Sequence, residues 1–537
     1  MRYSVFTDAS WLFPDSPHSA EGAVSLLLPR GGHAGAQILC DLPAKTAVPR
    51  LVWDKAEGPE VRLYQLLPVG VNENTSSTLM TTTDYDSCKD FVTRKAPFTV
   101  YDALRPVEDV LPEGRLALYL CAEASSLMHT GVYTGALLFG NEAEGLSVPV
   151  RCEVSAVKVP PPGRDSVKML NFFDYDNLAA QHGTVKGSEA YWTLFRRYVR
   201  AQLDMRCTHI LLPTGEAMFT GGVLTGFDFT LARRAGEIAV EEGAPYLCGG
   251  HIAHWHEWDD GEYYPNWDQS TGVTTPAGYL QLQLYFRQWA EVIRQCGWQG
   301  RMAQSLADEP QTYNDKTYRI LAGICRKFLP GVPIIEAVET TNLGGGVDVW
   351  VPKQDTYEKW RDAYEELKAA GEEMWFYTCA FPAGPIMNRS MDLPLTASRA
   401  VMWMGALYRL SGFLHWGFNF YIGSDIWHSA CCPHKGALLP AGDAHIVYPG
   451  PDGPWRSMRF EAQRAGMEEW ELLEQAFRLA PAEAERLIHR VCSDFRTYTR
   501  DGATLIEVRT ALIRLLEKLL PASACMPRES CSVEQGH

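Results

Sequence analysis

The sequence lacks most of the features that would tie it to a membrane, a nucleic acid or a redox cofactor. No stretch approaches roughly 18 consecutive uncharged apolar residues, so no transmembrane helix is expected. The opening residues, MRYSVFTDASWLFPDSP, contain no apolar core segment, and Asp8 and Pro14 stand where an export signal is greasy. There is no run of Lys and Arg to offset a formal net charge of −16 and an isoelectric point near 5.4. Such a surface repels both nucleic acid and anionic lipid. No GxGxxG follows a strand-like run, which leaves little support for a dinucleotide fold, and neither HExxH nor paired CxxC occurs. The 14 cysteines follow no regular framework, and several (Cys207, Cys248, Cys379) fall inside apparent strands. That pattern fits reduced thiols better than disulfides. These absences predict a cytoplasmic protein without cofactor, with no nucleic-acid or membrane partner, acting on a neutral small molecule.

What is present is aromatic and acidic. With 537 residues, 46% of them apolar and 21% charged, the chain can bury a large core and is too long for one ordinary domain. The 16 Trp and 23 Tyr supply flat apolar faces with a polar edge, which suits stacking on sugar rings as well as filling a core.

The chain divides into three. Residues 1–160 read as all-β: VRLYQLL, GRLALYLCA, GVYTGALLF and LSVPVRCEVSAV alternate with Gly, Pro and Asn turns, predicting a β-sandwich. VKVPPPGRD then supplies a stiff linker. Residues 165–480 alternate strand and helix. Strands are expected at 167–173, 208–213, 245–250, 301–307, 333–338, 347–351, 373–379 and 412–418, with amphipathic stretches such as YWTLFRRYVRAQLDM and YLQLQLYFRQWAEVIRQC between them. About eight such units indicate a (β/α)8 TIM-type barrel, with a doubly wound open sheet as the alternative. After the last strand comes a long excursion over 419–455. Residues 481–537 read as a helical C-terminal tail with a disordered end.

Barrel chemistry gathers at the carboxyl ends of the strands. After strand 4 stand Asp308, Glu309 and Pro310. Proline ends the ladder and is expected to push Glu309 into an extended conformation, fanning both carboxyls over the barrel mouth. Two close carboxylates divide labour: repulsion and burial raise one into the range of a general acid while the other stays ionised. A carboxylate that merely caps the next helix is the plain alternative. Trp375 and Tyr377 share one face of strand 7. Strand 8 opens into His415–Tyr421, and strand 3 opens into HIAHWHEWDDGEYYPNW, too polar and aromatic for core. His251, His254 and His256 with Glu257 or Asp259, and His428, Cys431, Cys432 and His434, could in principle ligate zinc. Their spacing is not that of a metal motif, and no metal is assigned.

These residues bring a family into view. LADEP (306–310), MWFYTC (374–379), the segment SRAVMWMGALYRLSGFLHWGFNFY (398–421) and AGDAHIVYPGPDGPWRSMRFEAQRAGMEEWELL (441–473) resemble glycoside hydrolase family 123 and the related proteins grouped as a domain of unknown function. The resemblance spans roughly residues 90–480, and implies a retaining β-N-acetylhexosaminidase, most directly a β-N-acetylgalactosaminidase, working by substrate assistance. Carried over, Asp308 orients and polarises the 2-acetamido group and Glu309 is the acid/base. Further substrate-binding expectations are Trp375 or Trp416 as the platform under the sugar, Tyr377 on the acetamido carbonyl, and Asn419 and His251 on hydroxyls. Two other readings stay open. One is a glycosidase of the same barrel acting on a sugar without an acetamido group, with Glu336 or Glu339 as nucleophile. The other is a non-catalytic carbohydrate-binding protein.

Overall fold

The computed structural model describes residues 2–55, 57–78, 80–107, 110–140, 146–421, 425–434 and 436–520. The expected disordered end (523–537) and parts of the 419–455 excursion lie outside them.

The N-terminal half builds two sheets. One has four strands in the order Val24–Arg30, Leu146–Lys158, Gly131–Phe139, Arg50–Trp53. The other has seven, beginning Arg2–Thr7, His33–Leu42, Gly114–Glu123, Glu60–Val71, Phe98–Pro106. Pairing is antiparallel except between Leu146–Lys158 and Val24–Arg30. Along Leu146–Lys158 burial alternates from one residue to the next over most of the strand, the period-two pattern of a half-buried strand. Buried residues of both sheets, among them Leu28, Ile38, Leu118, Phe139 and Val150, form one apolar cluster.

The seven-stranded sheet is not made from the N-terminal half alone. Its last two strands are Gly453–Ser457 and Tyr448–Gly450, which arrive after the barrel and pair through Arg456 with Leu104 and Ser457 with Ala103. Sequence reading placed this stretch within an excursion, because three to five residues rich in Gly and Pro carry no strand periodicity of their own.

All eight expected barrel strands form, each shorter than its apolar run. Strands 1 to 8 are Lys168–Asn171, His209–Leu212, Tyr246–Gly249, Met302–Gln304, Ile335–Val338, Val349–Pro352, Glu373–Thr378 and Gly412–His415. They run parallel in the order 4-3-2-1-8-7-6-5. Strands 4 and 5 meet through a single parallel bridge between Gln304 and Ile334, with Gln304 N–H donating to Pro333 O at 2.9 Å, so the barrel is nearly closed. Side chains on one face of the strands (Leu170, Cys248, Ala303, Ile335, Val351, Trp375, Leu414) fill the interior. Those on the other face, such as Met169, Ile210, Leu247, Phe376 and Phe413, lie beneath the helices. Gly412 is required here, since a Cβ would come within 2.4 Å of the Trp375 ring.

One helix joins the two halves. Met458–Leu479 is buried on nearly every side although it carries Arg459, Glu461, Arg464, Glu468, Glu469 and Glu471. Each of these charges finds a partner. Arg459 pairs with Asp102 at 2.8 Å, Arg464 with Glu123 at 2.8 Å, Glu468 with His33 at 2.8 Å, and Glu471 with Arg206 at 3.4 Å. Glu461 meets Arg456 at 3.3 Å, and Glu469 accepts from both Arg399 and Arg509. The tail forms helices Pro481–Ile488 and Gly502–Leu519, the second tied to the four-stranded sheet by Arg514–Glu153 and by Ser155 on Glu517. Among the described residues no helix is long and apolar enough to cross a membrane, and the twelve cysteines form no disulfide.

Candidate active site

The end of strand 4 is held by a buried carboxylate on strand 5. Glu336 accepts from Ser305 Oγ at 2.6 Å, Leu306 N–H at 2.8 Å, Ala307 N–H at 3.0 Å and Tyr318 Oη at 3.0 Å. From the other side Ile252 and Ala253 donate their N–H groups to Leu306 O. The chain is therefore pinned up to the residue before the acidic pair. Asp308 then projects exposed at the mouth, and Glu309 lies half-buried below it.

The expected extended conformation of Glu309 is not what forms. Its φ is +42°, in the left-handed region that a residue with a Cβ seldom adopts. Proline at 310 disfavours only the right-handed helical region, and the turn is clamped on both sides. Trp255 Nε1 donates to Asp308 O at 3.2 Å, and Glu339 N–H donates to Pro310 O at 3.0 Å. The strained turn swings the Glu309 carboxyl onto the Tyr377 hydroxyl of strand 7. Burial first, then the charges of Asp308 and Glu339, push its pKa up to about 8, against the partial relief given by Lys353 and Tyr377.

Around the pair opens a cavity of about 850 Å³. Its walls come from every strand end but the second: Phe172, His251, Trp255, Trp258, Ala337, Lys353, Asp355, Tyr377, the Cys379–Pro382 turn, Leu414 and Trp416, beside the acidic pair itself. Thr78 and Met80 from the N-terminal half, and His434, Ala437, Leu439 and Asp443 from the excursion, close the remaining side. The hairpin bearing Thr78 and Met80 is fastened by Asp392, whose carboxylate accepts from Asn74 Nδ2, Thr75 N–H and Thr75 Oγ1.

The structure brings together five of the seven expected site residues. Asp308, Glu309, Tyr377, Trp416 and His251 all face the cavity. Trp416 is half-buried, its indole N–H on Asp443 at 3.0 Å, with Phe420 edge-on at 5.2 Å. His251 packs edge-on against Phe172 and lies 3.4 Å from Glu336. Burial pulls its pKa down, but hydrogen bonding and charge from Glu336, with Asp308 and Glu309 beyond, outweigh this and raise it. The Tyr377 hydroxyl is directed at Glu309 and, at 3.2 Å, at Glu339, rather than open to a ligand carbonyl.

Two expected residues stand elsewhere. Trp375 shares a face with Tyr377 but lies one layer lower, fully buried beneath Gly412 with its N–H on Glu373. A position two residues earlier on a strand points the same way but sits nearly 7 Å further from the mouth. Asn419 is also fully buried. It accepts from Asp174 N–H and donates to Asp174 O, stitching the strand 8 exit to the strand 1 exit.

Several cavity residues escaped sequence reading. Lys353 and Asp355 follow a plain apolar strand with no motif to mark them, and Trp258 was part of a loop judged functional only as a whole. Asp443 lay within the 441–473 segment, where its burial against Trp416 and, at 3.5 Å, His415 has no local signature. Among the described residues no group of three or more His, Cys, Asp and Glu converges as metal ligands. His254 and His256 instead pack near Tyr264, which stacks on His256 at 3.9 Å.

Residues 227–476, from before strand 3 through the interdomain helix, match the family model described as "Glycoside hydrolase 123, catalytic domain". Among solved structures, a family 123 glycoside hydrolase from Clostridium perfringens superposes with a TM-score of 0.74 at 11% identity, covering 96% of this chain and 99% of that one. A β-glucuronidase from Parabacteroides merdae aligns at TM-score 0.32 and 12% identity over 82% of this chain and 50% of that one. A termite-gut GH10 xylanase containing a bacterial Ig-like domain aligns at 0.35 and 11% over 84% and 100%. No curated protein matches. The barrel from strand 3 onward is thus similar to the catalytic domain of glycoside hydrolase family 123, and the fold of the chain is similar to that of a solved member of that family.

Proposed function

We propose that the protein removes a terminal β-linked N-acetylhexosamine, N-acetylgalactosamine foremost, by a retaining, substrate-assisted mechanism. The observation that carries this reading is the state of the carboxylates around the cavity. An ordinary retaining glycosidase needs a free protein nucleophile about 5 Å from its acid. Both strand 5 candidates are committed: Glu336 to four donors and Glu339 to Lys353, Thr356 and Tyr377. Asp443 holds Trp416, and Asp355, in the first turn of the helix after strand 6, accepts from Thr356 N–H. The adjacent pair remains, and it suffices if the nucleophile belongs to the substrate.

In this mechanism the acetamido oxygen attacks the anomeric carbon while Glu309 passes its proton to the departing glycosidic oxygen. Asp308, at the mouth, polarises the acetamido N–H and stabilises the positive charge of the oxazolinium. Glu309, now a carboxylate, takes a proton from water as the water opens the ring. Trp416 lies under the sugar, and His251 bonds a hydroxyl. Trp258, exposed at the rim and edge-on to Trp255 at 5.2 Å, offers a second aromatic face beyond the cleaved bond.

The test is p-nitrophenol release from the β-N-acetylgalactosaminide, the β-N-acetylglucosaminide and the β-galactoside. Cleavage confined to acetamido substrates is expected. Equal cleavage of the galactoside would overturn substrate assistance and return attention to the strand 5 carboxylates Glu336 and Glu339 as nucleophile. A Trp258→Ala variant is expected to raise KM for an oligosaccharide by about tenfold, the equivalent of one lost stacking contact. It should leave KM for the aryl glycoside within about twofold, and equal changes for both would remove Trp258 from substrate binding.

A further inference from the structure

Tyr377 stands between two carboxylates with one hydroxyl proton to give. Its oxygen contacts Glu309 Oε1 on one side and Glu339 Oε1, at 3.2 Å, on the other. A phenol donates one hydrogen bond, so both contacts are hydrogen bonds only if one of the carboxyls is itself protonated. Glu339 is the one held as an anion. It forms an ion pair with Lys353 and accepts from Thr356 Oγ1 at 3.0 Å. The backbone keeps this group in place: Lys353 is bridged to Tyr377 across the ends of strands 6 and 7, and Glu339 N–H is bonded to Pro310 O. With a proton on Glu309, Glu309 donates to the Tyr377 oxygen and the Tyr377 hydroxyl donates to Glu339; with Glu309 ionised, the hydroxyl donates to Glu309.

We propose that Glu339 and Lys353 are positioning residues for the acid/base, acting through the Tyr377 hydroxyl, whose hydrogen bond turns from Glu339 to Glu309 when Glu309 gives up its proton and turns back when Glu309 regains it. This rests on Glu309 being the acid/base. No proton passes through Tyr377, since its O–H bond is kept and only its acceptor changes. While the hydroxyl faces Glu309, Glu339 retains Lys353 and Thr356, so neither carboxylate is left bare in either half of the cycle. Other charged or titratable groups line the site around Glu309: Asp308 from its own turn, His251 and Tyr263 from the strand 3 loop, Asp355 from the helix after strand 6 and Cys379 from the turn after strand 7. Glu339 is joined to Glu309 by way of the Tyr377 hydroxyl they share, with Lys353 paired to Glu339 behind it.

The experiment follows the 13Cδ resonance of Glu309 with pH in glutamate-labelled protein, assigned by its loss in Glu309→Gln, together with the pH profile of kcat/KM. Glu339→Gln is expected to lower the Glu309 midpoint by at least about half a pH unit, since it removes a nearby negative charge and leaves only a weaker, neutral acceptor for the Tyr377 hydroxyl. The alkaline limb of the rate profile should move with it. In a Tyr377→Phe background the same substitution should shift the midpoint by less than half as much. If Glu339→Gln leaves Lys353 stranded and the protein folds poorly, the double variant Glu339→Gln/Lys353→Met removes both charges, and a downward shift is again expected. No shift, or an equal shift with and without the Tyr377 hydroxyl, would overturn the proposal. The titration needs no turnover, so a glycosidase reading that fails would show as absent hydrolysis beside an intact relay.

Discussion

Under the proposed mechanism, replacing Glu309 by glutamine is expected to lower kcat/KM for an N-acetylgalactosaminide by ~10²–10⁴, the usual worth of a positioned general acid. The size of the fall depends on what leaves. p-Nitrophenol departs without much protonation, so the loss is smaller for its glycoside than for a sugar alcohol, and comparing the two isolates the acid step. Asp308→Asn is expected to cost ~10²–10³ with either leaving group, because the charge it stabilises develops on the acetamido side in both cases. A loss below tenfold for both variants would remove the pair from the chemistry. The same substitution at Glu309 has a second readout. A carboxyl whose pKa is raised to about 8 favours the folded state at low pH, and that contribution is lost as pH rises from the ordinary glutamate range through about 8. Glu309→Gln carries no such loss, so its stability relative to the parent should rise between pH 5 and 9, as read by melting temperature.

The second large effect is expected far from the cavity. Arg459 is completely buried. It donates to Asp102 through Nε at 3.0 Å and Nη2 at 2.8 Å, and through Nη1 to Gly442 O and His445 O at 2.6 Å each. Asp102 is as deeply buried and also accepts from Tyr448 Oη at 2.6 Å. Removing one partner of such a pair leaves an uncompensated charge, so Arg459→Ala is expected to cost about 3–5 kcal/mol. The pair itself is worth much less than that, because an apolar replacement of both partners gives back the desolvation cost. Arg459→Met combined with Asp102→Leu should therefore recover part of the loss. Denaturant titrations of the single and double variants measure both effects, and a single-variant loss below about 1 kcal/mol would contradict them.

How much of this was readable in advance depended on whether the signal was local. The barrel strands were legible because Val, Ile, Leu and aromatic runs bounded by Gly, Pro and amphipathic helices repeat at a regular spacing, and all eight form where that pattern places them. Asp308 and Glu309 were legible as residues of the barrel mouth because Pro310 ends the strand 4 segment there. Depth was not legible. Trp375 and Tyr377 share a face, and only the register of strand 7 against strand 8, Trp375 beside Gly412 and Tyr377 beside Leu414, puts one at the floor and the other at the mouth. Partnership was no more visible. Glu336 reads as an acidic residue in a strand, and its role in bracing Leu306 and Ala307 depends on strand 4 lying next to strand 5. The helix Met458–Leu479 misleads in the same way, since its charges suggest a wetted face and its partners arrive from residues as distant as His33 and Asp102.

The late strands of the seven-stranded sheet have a consequence for how the protein is made. Synthesis proceeds from the N-terminus, so Phe98–Pro106 leaves the ribosome some 350 residues before Gly453–Ser457, its neighbour in the sheet. Until then one edge of that sheet has open backbone donors and acceptors, and Asp102, Glu123 and His33 wait in water for Arg459, Arg464 and Glu468. The half that emerges first is finished last. An unpaired strand edge of this kind is a template for other chains. A nascent protein halted before residue 448 therefore presents a different surface from the finished one, with its sheet edge open and its interdomain charges still hydrated.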